Sequence, residues 1–270
     1  MTGGGLRRPP SNSLSARILG SAWTYRLIVL IVIGGVWETY ARLVHALLIP
    51  TFSGTLAGTV ELLFDPVVWV AFMISNQALV IGFAISALLG VPLGLAAARY
   101  RNIEGFVDPY LSILLVTPMA ALIPILLMSL GIGLASRVLL VVVFSIPVII
   151  VNSRAGVRQV DPALIEMATS FGAGERQIWR KILLPGALPA IMTGIRLGLG
   201  RGVTGMVIIE LLMVAVGIGG LILLFQGEFE ADLLYGTVVL VVIEALILVS
   251  IVRGIERRVA PWAIQTVLRD

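Results

Sequence analysis

Six apolar stretches, each near bilayer-crossing length, divide the chain at roughly 27–44, 78–98, 107–130, 135–152, 187–214 and 233–252. A hydrocarbon core about 30 Å thick takes ~20 apolar residues of helix. Inside it, each backbone donor and acceptor must be satisfied within protein. The pattern predicts an all-α polytopic membrane protein with about six transmembrane helices. With 59% hydrophobic residues, 13% charged residues and a mean hydropathy of +1.06, the chain lies outside the range of soluble domains.

The charges between the spans set an expected orientation. Of the 19 basic residues, 15 fall in segments on one side: the N-terminal segment, the 99–101 turn, the long loop after the fourth span, and the C-terminal segment. The positive-inside rule places that side in the cytoplasm. The expected layout is a cytoplasmic tail over 1–25, a transmembrane domain over 26–253 with a cytoplasmic loop at 158–185, and a cytoplasmic tail over 254–270. The same spread of basic residues excludes a nucleic-acid partner despite a pI of about 10, because no single basic face results. The chain has no cysteine, which excludes disulfides and thiol chemistry. The single histidine, His45, is assigned to a membrane interface and leaves no His-based metal site. The single lysine, Lys181, lies between Arg180 and Ile182, so no phosphate-binding Gly-Lys-Ser/Thr motif can be written. Any ATP that drives this chain binds to another one.

Along the chain, Glu38 and Arg42 stand one helical turn apart and are expected to pair. A short amphipathic helix is predicted from about Thr55 to Phe64. The second span reads as a long helix over 67–98, with Asn76 and Gln77 suggesting that only 78–98 is embedded. Gly82, Ser86, Gly90, Gly94 and Ala98 form a small-residue ridge on it; Ala190, Gly194, Gly198 and Gly202 form another on span five. Such ridges let helices approach closely, and one of the two is expected to meet a second protomer. Pro118 and Pro124 break up the third span and make it a candidate pathway lining; kinked packing fits equally. Arg196, Arg201, Glu210 and Glu244 are charged positions within apolar spans and are also pathway candidates. By depth, Glu244 is expected to neutralise Arg201, with Arg196 as second choice. A free Arg201 facing an anionic solute is the alternative.

The polar interruption Asp161–Pro185 carries the most specific pattern. Asp161-Pro162 predicts an N-cap with proline at the first helical position. Leu164, Met167, Ala168 and Phe171 recur at helical spacing, and Gly172 suits a left-handed helix cap. A second short helix is predicted from Glu175 to Leu183, with Ile178 and Ile182 one turn apart and Pro185 ending it. Two amphipathic helices bent at a glycine suggest a docking surface. A charged loop with interfacial helices fits the bare pattern as well.

Glu166, Ala168, Gly172, Ile182, Leu184 and Pro185 fall at the spacing of the EAA loop of ABC importer permeases, with Met167 replacing the second alanine. Over about 36–262 the chain resembles the nitrate/sulfonate/taurine/bicarbonate branch of those type I importer permeases. Trp37-Glu38, Asp108-Pro109, Gly131-Ile-Gly133, Ile146-Pro147, Leu184-Pro185-Gly186, Gly217-Ile-Gly219 and Pro261-Trp262 all fit its pattern. The resemblance implies a non-catalytic subunit of the cytoplasmic (inner) membrane that moves a small solute, such as a sulfonate, nitrate or bicarbonate anion, inward. It implies two cytoplasmic ABC ATPase subunits that carry ATP-Mg, a second permease subunit expected to be a copy of this chain, and an extracytoplasmic substrate-binding protein. This chain binds no cofactor or metal in that reading. Its coupling loop is Glu166, Met167, Ala168, Phe171, Gly172, Ala173, Gly174, Ile178, Ile182 and Pro185. The same importer class with an uncharged cofactor precursor as substrate is the alternative. A secondary transporter is a rival from another class; it lacks the self-similar halves expected of that class. An intramembrane enzyme has no acid/base pair to support it.

Overall fold

The computed structural model describes residues 22–44 and 48–262, and among these every regular element is helical. Residues 1–21, 45–47 (His45 among them) and 263–270 lie outside the described residues. The elements are α1 (Ala22–Val44), α2 (Phe52–Leu63), α3 (Pro66–Arg99), α4 (Arg101–Val116), α5 (Met119–Leu130), α6 (Leu134–Arg158), α7 (Pro162–Ser170), α8 (Glu175–Ile178), α9 (Leu184–Ile209), α10 (Gly217–Gly227) and α11 (Ala231–Val259). Two π-helical turns, Trp179–Leu183 and Glu210–Val214, join α8 to α9 and extend α9. Among the described residues, five helices are long and apolar enough to cross a membrane, and six spans result when the bent α4–α5 pair counts as one.

Helix α6 is the axis of the fold, packed between α3 and α9. The two small-residue ridges make this possible. A Cβ on Gly82 would sit 2.8 Å from the Val138 carbonyl oxygen, and one on Gly94 only 2.6 Å from that of Ile150. From the other side, a Cβ on Gly194 would sit 2.7 Å from Asn152 Cβ, and one on Gly198 2.7 Å from Ile149 Cγ1. No real Cβ tolerates such distances, so these glycines let the backbones of α3 and α9 lie against α6. The expectation that one ridge meets a second protomer is therefore corrected: both are consumed inside this one. Leu79, Val141, Leu199, Val203 and Met206 fill the centre of the sandwich.

Three expectations about helix ends also change. The third span is not one helix from 107 to 130; its two halves, Arg101–Val116 and Ala121–Leu130, meet at 112°. Thr117 precedes Pro118 and adopts an extended ψ of 130°, because the pyrrolidine ring disfavours α geometry in the preceding residue. Pro185 does not end the loop's second helix. The Leu184 N–H donates to the Trp179 carbonyl, five residues back, and this wider π turn leads straight into α9. Proline near the start of a helix lacks only a donor that is dispensable there, and the widened turn gives its ring room. Finally, α11 does not stop near 252 but runs on to Val259, whereas α3 over Pro66–Arg99 is the long helix expected over 67–98.

At the end of the molecule away from the Asp161–Pro185 loop, α1, α2 and α11 are tied together. Trp37 Nε1 donates to the Pro50 carbonyl at 3.0 Å, and Glu38 accepts from the Ser53 N–H at 3.0 Å. Arg42 donates to Glu38 at 2.7 Å, the expected i,i+4 pair. Gly58 and Gly236 bring α2 and α11 into backbone contact: a Cβ on Gly58 would meet the Asp232 carbonyl oxygen at 2.7 Å.

Candidate functional site

The loop following α6 begins as its residues dictate. Asp161 caps α7, accepting from the Ala163 N–H at 2.9 Å. Gly172 closes the helix at φ +76°, and the Ala173 N–H returns to the Ala168 carbonyl at 2.9 Å. Only a residue without a Cβ adopts that turn at little cost. The Gly174 N–H then donates to Gln177 Oε1 at 3.1 Å and starts α8.

The two faces of this loop differ in exposure. Ile178 and Leu183 are buried with Val157, Ala187 and Ile191, and Ile165, Ala168 and Ala173 pack against the same cluster. Arg99, at the end of α3, makes a paired contact with Glu175 at 2.8 and 2.9 Å and fixes where α8 begins. On the opposite face, Leu164, Met167 and Phe171 stand out at 46%, 52% and 85% exposure. Glu166 and Gly172 are exposed beside them, and Ile182 and Pro185 are half-buried. A groove of about 450 Å³ lined by Leu164, Met167, Lys181, Pro185 and Trp262 runs alongside α7. The result is a rigidly mounted apolar ridge with a groove at its side, directed away from the helix bundle.

The charged residues of the spans do not pair as expected. Arg196 Nη1 bonds Glu256 Oε2 at 2.8 Å, joining α9 to α11. Glu244 is bonded by Asn76 of α3 and makes no contact with Arg201. The expected Glu244–Arg201 pair is thus corrected, and so is the second choice, Glu244–Arg196. Depth counted along a helix ignores rotation about its axis, and rotation turns Arg201 away from α11. Arg201 is exposed, with no hydrogen bond or ion pair among the described residues. Pro118 and Pro124 are exposed as well, at the α4–α5 break and within α5.

Glu210 is wholly buried inside the protomer, not on an open wall. It accepts from Ser75 Oγ at 2.7 Å and from the Gly219 N–H at 3.1 Å, and Arg137 Nη1 lies 3.5 Å away. Arg137 also donates to the Ile74 carbonyl at 3.0 Å. A Cβ on Gly217 would fall 2.8 Å from Glu210 Oε1, and one on Gly219 would fall 2.7 Å from the Glu210 carbonyl carbon. The Gly217-Ile-Gly219 motif therefore makes room for this carboxylate. Arg137 and Ser75 were not picked out from the sequence; a lone arginine near the end of an apolar span was the one available signal.

At the loop-bearing end, α6, α9 and α11 enclose an open cavity of about 600 Å³ whose charged lining is Arg196, Arg253, Arg257 and Glu256. Nearby, Arg154 bonds Asp108 and Arg158 bonds Glu104, tying α4 to α6.

Comparison with known proteins agrees with this architecture. Residues 90–265 match the family described as binding-protein-dependent transport system inner membrane component. The chain is 31% identical to the taurine transport system permease protein TauC of Escherichia coli (strain K12), over 73% of this chain and 72% of that one. It is 28% identical to a permease of Bacillus subtilis (strain 168) named for aliphatic sulfonates, SsuC, over 89% of this chain and 88% of that one. Among solved structures, the inward-facing MetNI methionine ABC transporter matches with a TM-score of 0.56 at 24% identity, covering 72% of this chain and 94% of that one, a likeness of fold. The chain belongs to the binding-protein-dependent transport system inner membrane components: it is a multi-pass inner-membrane permease subunit of an ABC importer, a non-catalytic component in a system whose ATPase is a separate subunit.

Proposed function

We propose that two copies of this chain form the membrane path of an importer for a small anion, a sulfonate or a similar oxyanion. A binding protein delivers the anion from outside, and two cytoplasmic ATPases bearing ATP-Mg drive its passage inward. Both termini and the Asp161–Pro185 loop face the cytoplasm in this reading. The observation that carries it is the ridge of Leu164, Met167 and Phe171, exposed on a loop whose other face is locked to the bundle by Ile178, Leu183 and the Arg99–Glu175 contact. A partner that seats this ridge transmits its movement to α6 and α9, because both run directly out of the loop.

Charge supports an anionic cargo. The cavity at the loop-bearing end is lined by three arginines and a single glutamate. Deeper along α9, Leu197, Arg201 and Thr204 form an exposed stripe on which Gly200 is open. An arginine facing hydrocarbon costs about 2.5–3.5 kcal/mol on insertion scales, so this stripe belongs against water or protein. We assign it to the pathway, with Arg201 attracting the anion and Arg196 and Glu256 at its exit.

The test exploits the absence of cysteine. Met167→Cys and Phe171→Cys chains, assembled with the partner ABC ATPase, are treated with a bifunctional thiol reagent. Cross-linking to an engineered cysteine in the ATPase groove that changes with nucleotide is expected. Cross-linking equal to that of an exposed control such as Gly105→Cys refutes the docking. In proteoliposomes, Arg201→Leu is expected to abolish ATP-driven uptake of a sulfonate while leaving assembly intact; unchanged uptake refutes the anion path.

A further inference from the structure

The cavity at the loop-bearing end carries more positive charge than its own lining balances. It measures about 600 Å³, within the ~300–1,000 Å³ range of small-molecule pockets. Gln159 stands at the end of α6, Arg196 comes from α9, and Arg253, Glu256 and Arg257 come from α11. Three guanidinium groups against one carboxylate leave two positive charges in excess. Glu256 is committed to Arg196 at 2.8 Å, across the α9–α11 contact. Arg253 and Arg257 are exposed and make no hydrogen bond or ion pair among the described residues.

Arg253 and Arg257 stand one turn apart on α11, so they share a face and repel each other. The dipole of α11 favours Arg257 in its last turn, but that effect fades before Arg253. Other polar groups of the lining do not relieve the repulsion. Asn152 Nδ2 donates to the Val148 carbonyl and the Thr193 hydroxyl to the Pro189 carbonyl, each within its own helix. The Gln159 side-chain amide is exposed and has no partner among the described residues. The positive-inside rule accounts for arginines at this end. It does not account for their convergence, from two helices, on a cavity whose one carboxylate is already paired. Guanidinium groups present paired N–H donors that match the oxygens of a phosphate or sulfonate group.

We infer that this cavity holds one oxyanion, a phosphate, sulfate or sulfonate group, between the guanidinium groups of Arg253 and Arg257, with the Gln159 amide as a third donor. The bound group supplies the negative charge that the lining lacks and leaves the Arg196–Glu256 pair intact. Its place at the exit rests on the anion path and the cytoplasmic orientation proposed above; the binding itself does not require Arg201. Such a group comes from a free anion in the cytoplasm or from the headgroup of an acidic phospholipid, since basic pockets between spans on that face take lipid headgroups. A free anion makes occupancy follow the amount already imported, and a headgroup makes it follow lipid composition. The test separates these sources.

The full-length chain, in neutral detergent and a chloride buffer, is treated with the arginine reagent phenylglyoxal, and the rate at each arginine is followed by mass spectrometry. Sodium sulfate at constant ionic strength is the free-anion probe. A bound anion slows modification by the factor 1 + [L]/Kd, so saturating sulfate is expected to slow Arg253 and Arg257 at least ~10-fold and Arg101, exposed on α4, less than ~2-fold. Arg253→Gln is expected to abolish the protection of Arg257. Should that variant fail to fold, Gln159→Glu keeps both arginines, places a competing carboxylate in the same lining, and is expected to abolish the sulfate effect. The measurement is repeated in phosphatidylcholine nanodiscs with and without phosphatidylglycerol. Protection of Arg253 and Arg257 by phosphatidylglycerol assigns the site to the headgroup; protection by sulfate alone assigns it to a free anion. Protection is expected to persist in Arg201→Leu, so unchanged uptake by that variant sinks the anion path and not this site. No slowing by sulfate or phosphatidylglycerol, equal slowing of Arg101, or full protection in a folded Arg253→Gln or Gln159→Glu chain overturns the proposal.

Discussion

Replacing Glu210 by leucine removes the acceptor on which donors from α3, α6 and α10 converge. The carboxylate is wholly buried, and the Arg137 side chain is only 9% exposed. At the observed 3.5 Å, two unit charges attract by about 5 kcal/mol at an effective dielectric of about 20. Desolvation of both ions offsets most of that attraction, so the intact pair is worth far less than this. Breaking the pair is different, because Arg137 then remains buried with the Ile74 carbonyl as its one remaining acceptor. Ser75 Oγ and the Gly219 N–H lose their acceptor at the same time.

The expected cost of Glu210→Leu is therefore about 3–5 kcal/mol of protomer stability. If the stranded charge is the cause, adding Arg137→Leu recovers most of the loss, since apolar replacement of a whole buried pair is often neutral or stabilising by about 1–4 kcal/mol. The assay is denaturant unfolding in mixed micelles for the wild type, both single variants and the double variant, read as a double-mutant cycle. A double variant as unstable as Glu210→Leu alone refutes the reasoning and shifts the cost to Ser75 and Gly219. A Glu210→Leu variant of wild-type stability refutes the structural role altogether.

Three further outcomes follow from the same geometry. Gly94→Leu drives a side chain into the Ile150 carbonyl and is expected to cost at least about 1–3 kcal/mol, whereas Gly105→Leu, whose Cβ direction is empty to 4 Å, stays within about 0.5 kcal/mol in the same unfolding assay. Arg99→Ala removes a contact whose side chains are 36% and 46% exposed, so the expected loss is at most about 1 kcal/mol and shrinks in high salt. Phe171→Asp places a charge on the exposed ridge and is expected to lower ATP-driven uptake at least ~10-fold with unchanged insertion, checked by uptake against membrane abundance.

What could be read in advance was whatever one helix holds within itself. The Glu38–Arg42 pair, the Asp161 cap and the Gly172 turn depend on residues up to five apart, and local spacing specifies them. The small-residue ridges were legible as surfaces of close approach; their partner was not, because a ridge looks the same from either side. The charge pairs failed for a related reason. Arg196 and Glu256 are sixty positions apart, and Ser75 and Glu210 more than twice that. Depth in the membrane leaves the rotation of each helix undetermined. The break at Pro118 could have been anticipated, since Thr117 stands immediately before a proline. The continuation past Pro185 could not, because it depends on a π turn with no marker in the residues themselves.

The placement of the ridges also constrains the rest of the surface. Gly194, Gly198 and Gly202 point one face of α9 at α6, which turns Leu197, Gly200 and Arg201 outward on another. Arg201 thus owes its isolation to the glycines: the close packing they allow on α6 rotates it away from Glu244, the acid nearest to it in depth. Glu244 is left with Asn76 alone and a free carboxyl oxygen. The separation leaves an unpaired cation on α9 and a half-satisfied carboxyl group on α11. Pairing them would have been cheaper in a membrane, where an uncompensated charge is costly. Stability of the single protomer does not account for the arrangement. On the proposed anion path, the cargo supplies the opposite charge that Arg201 lacks.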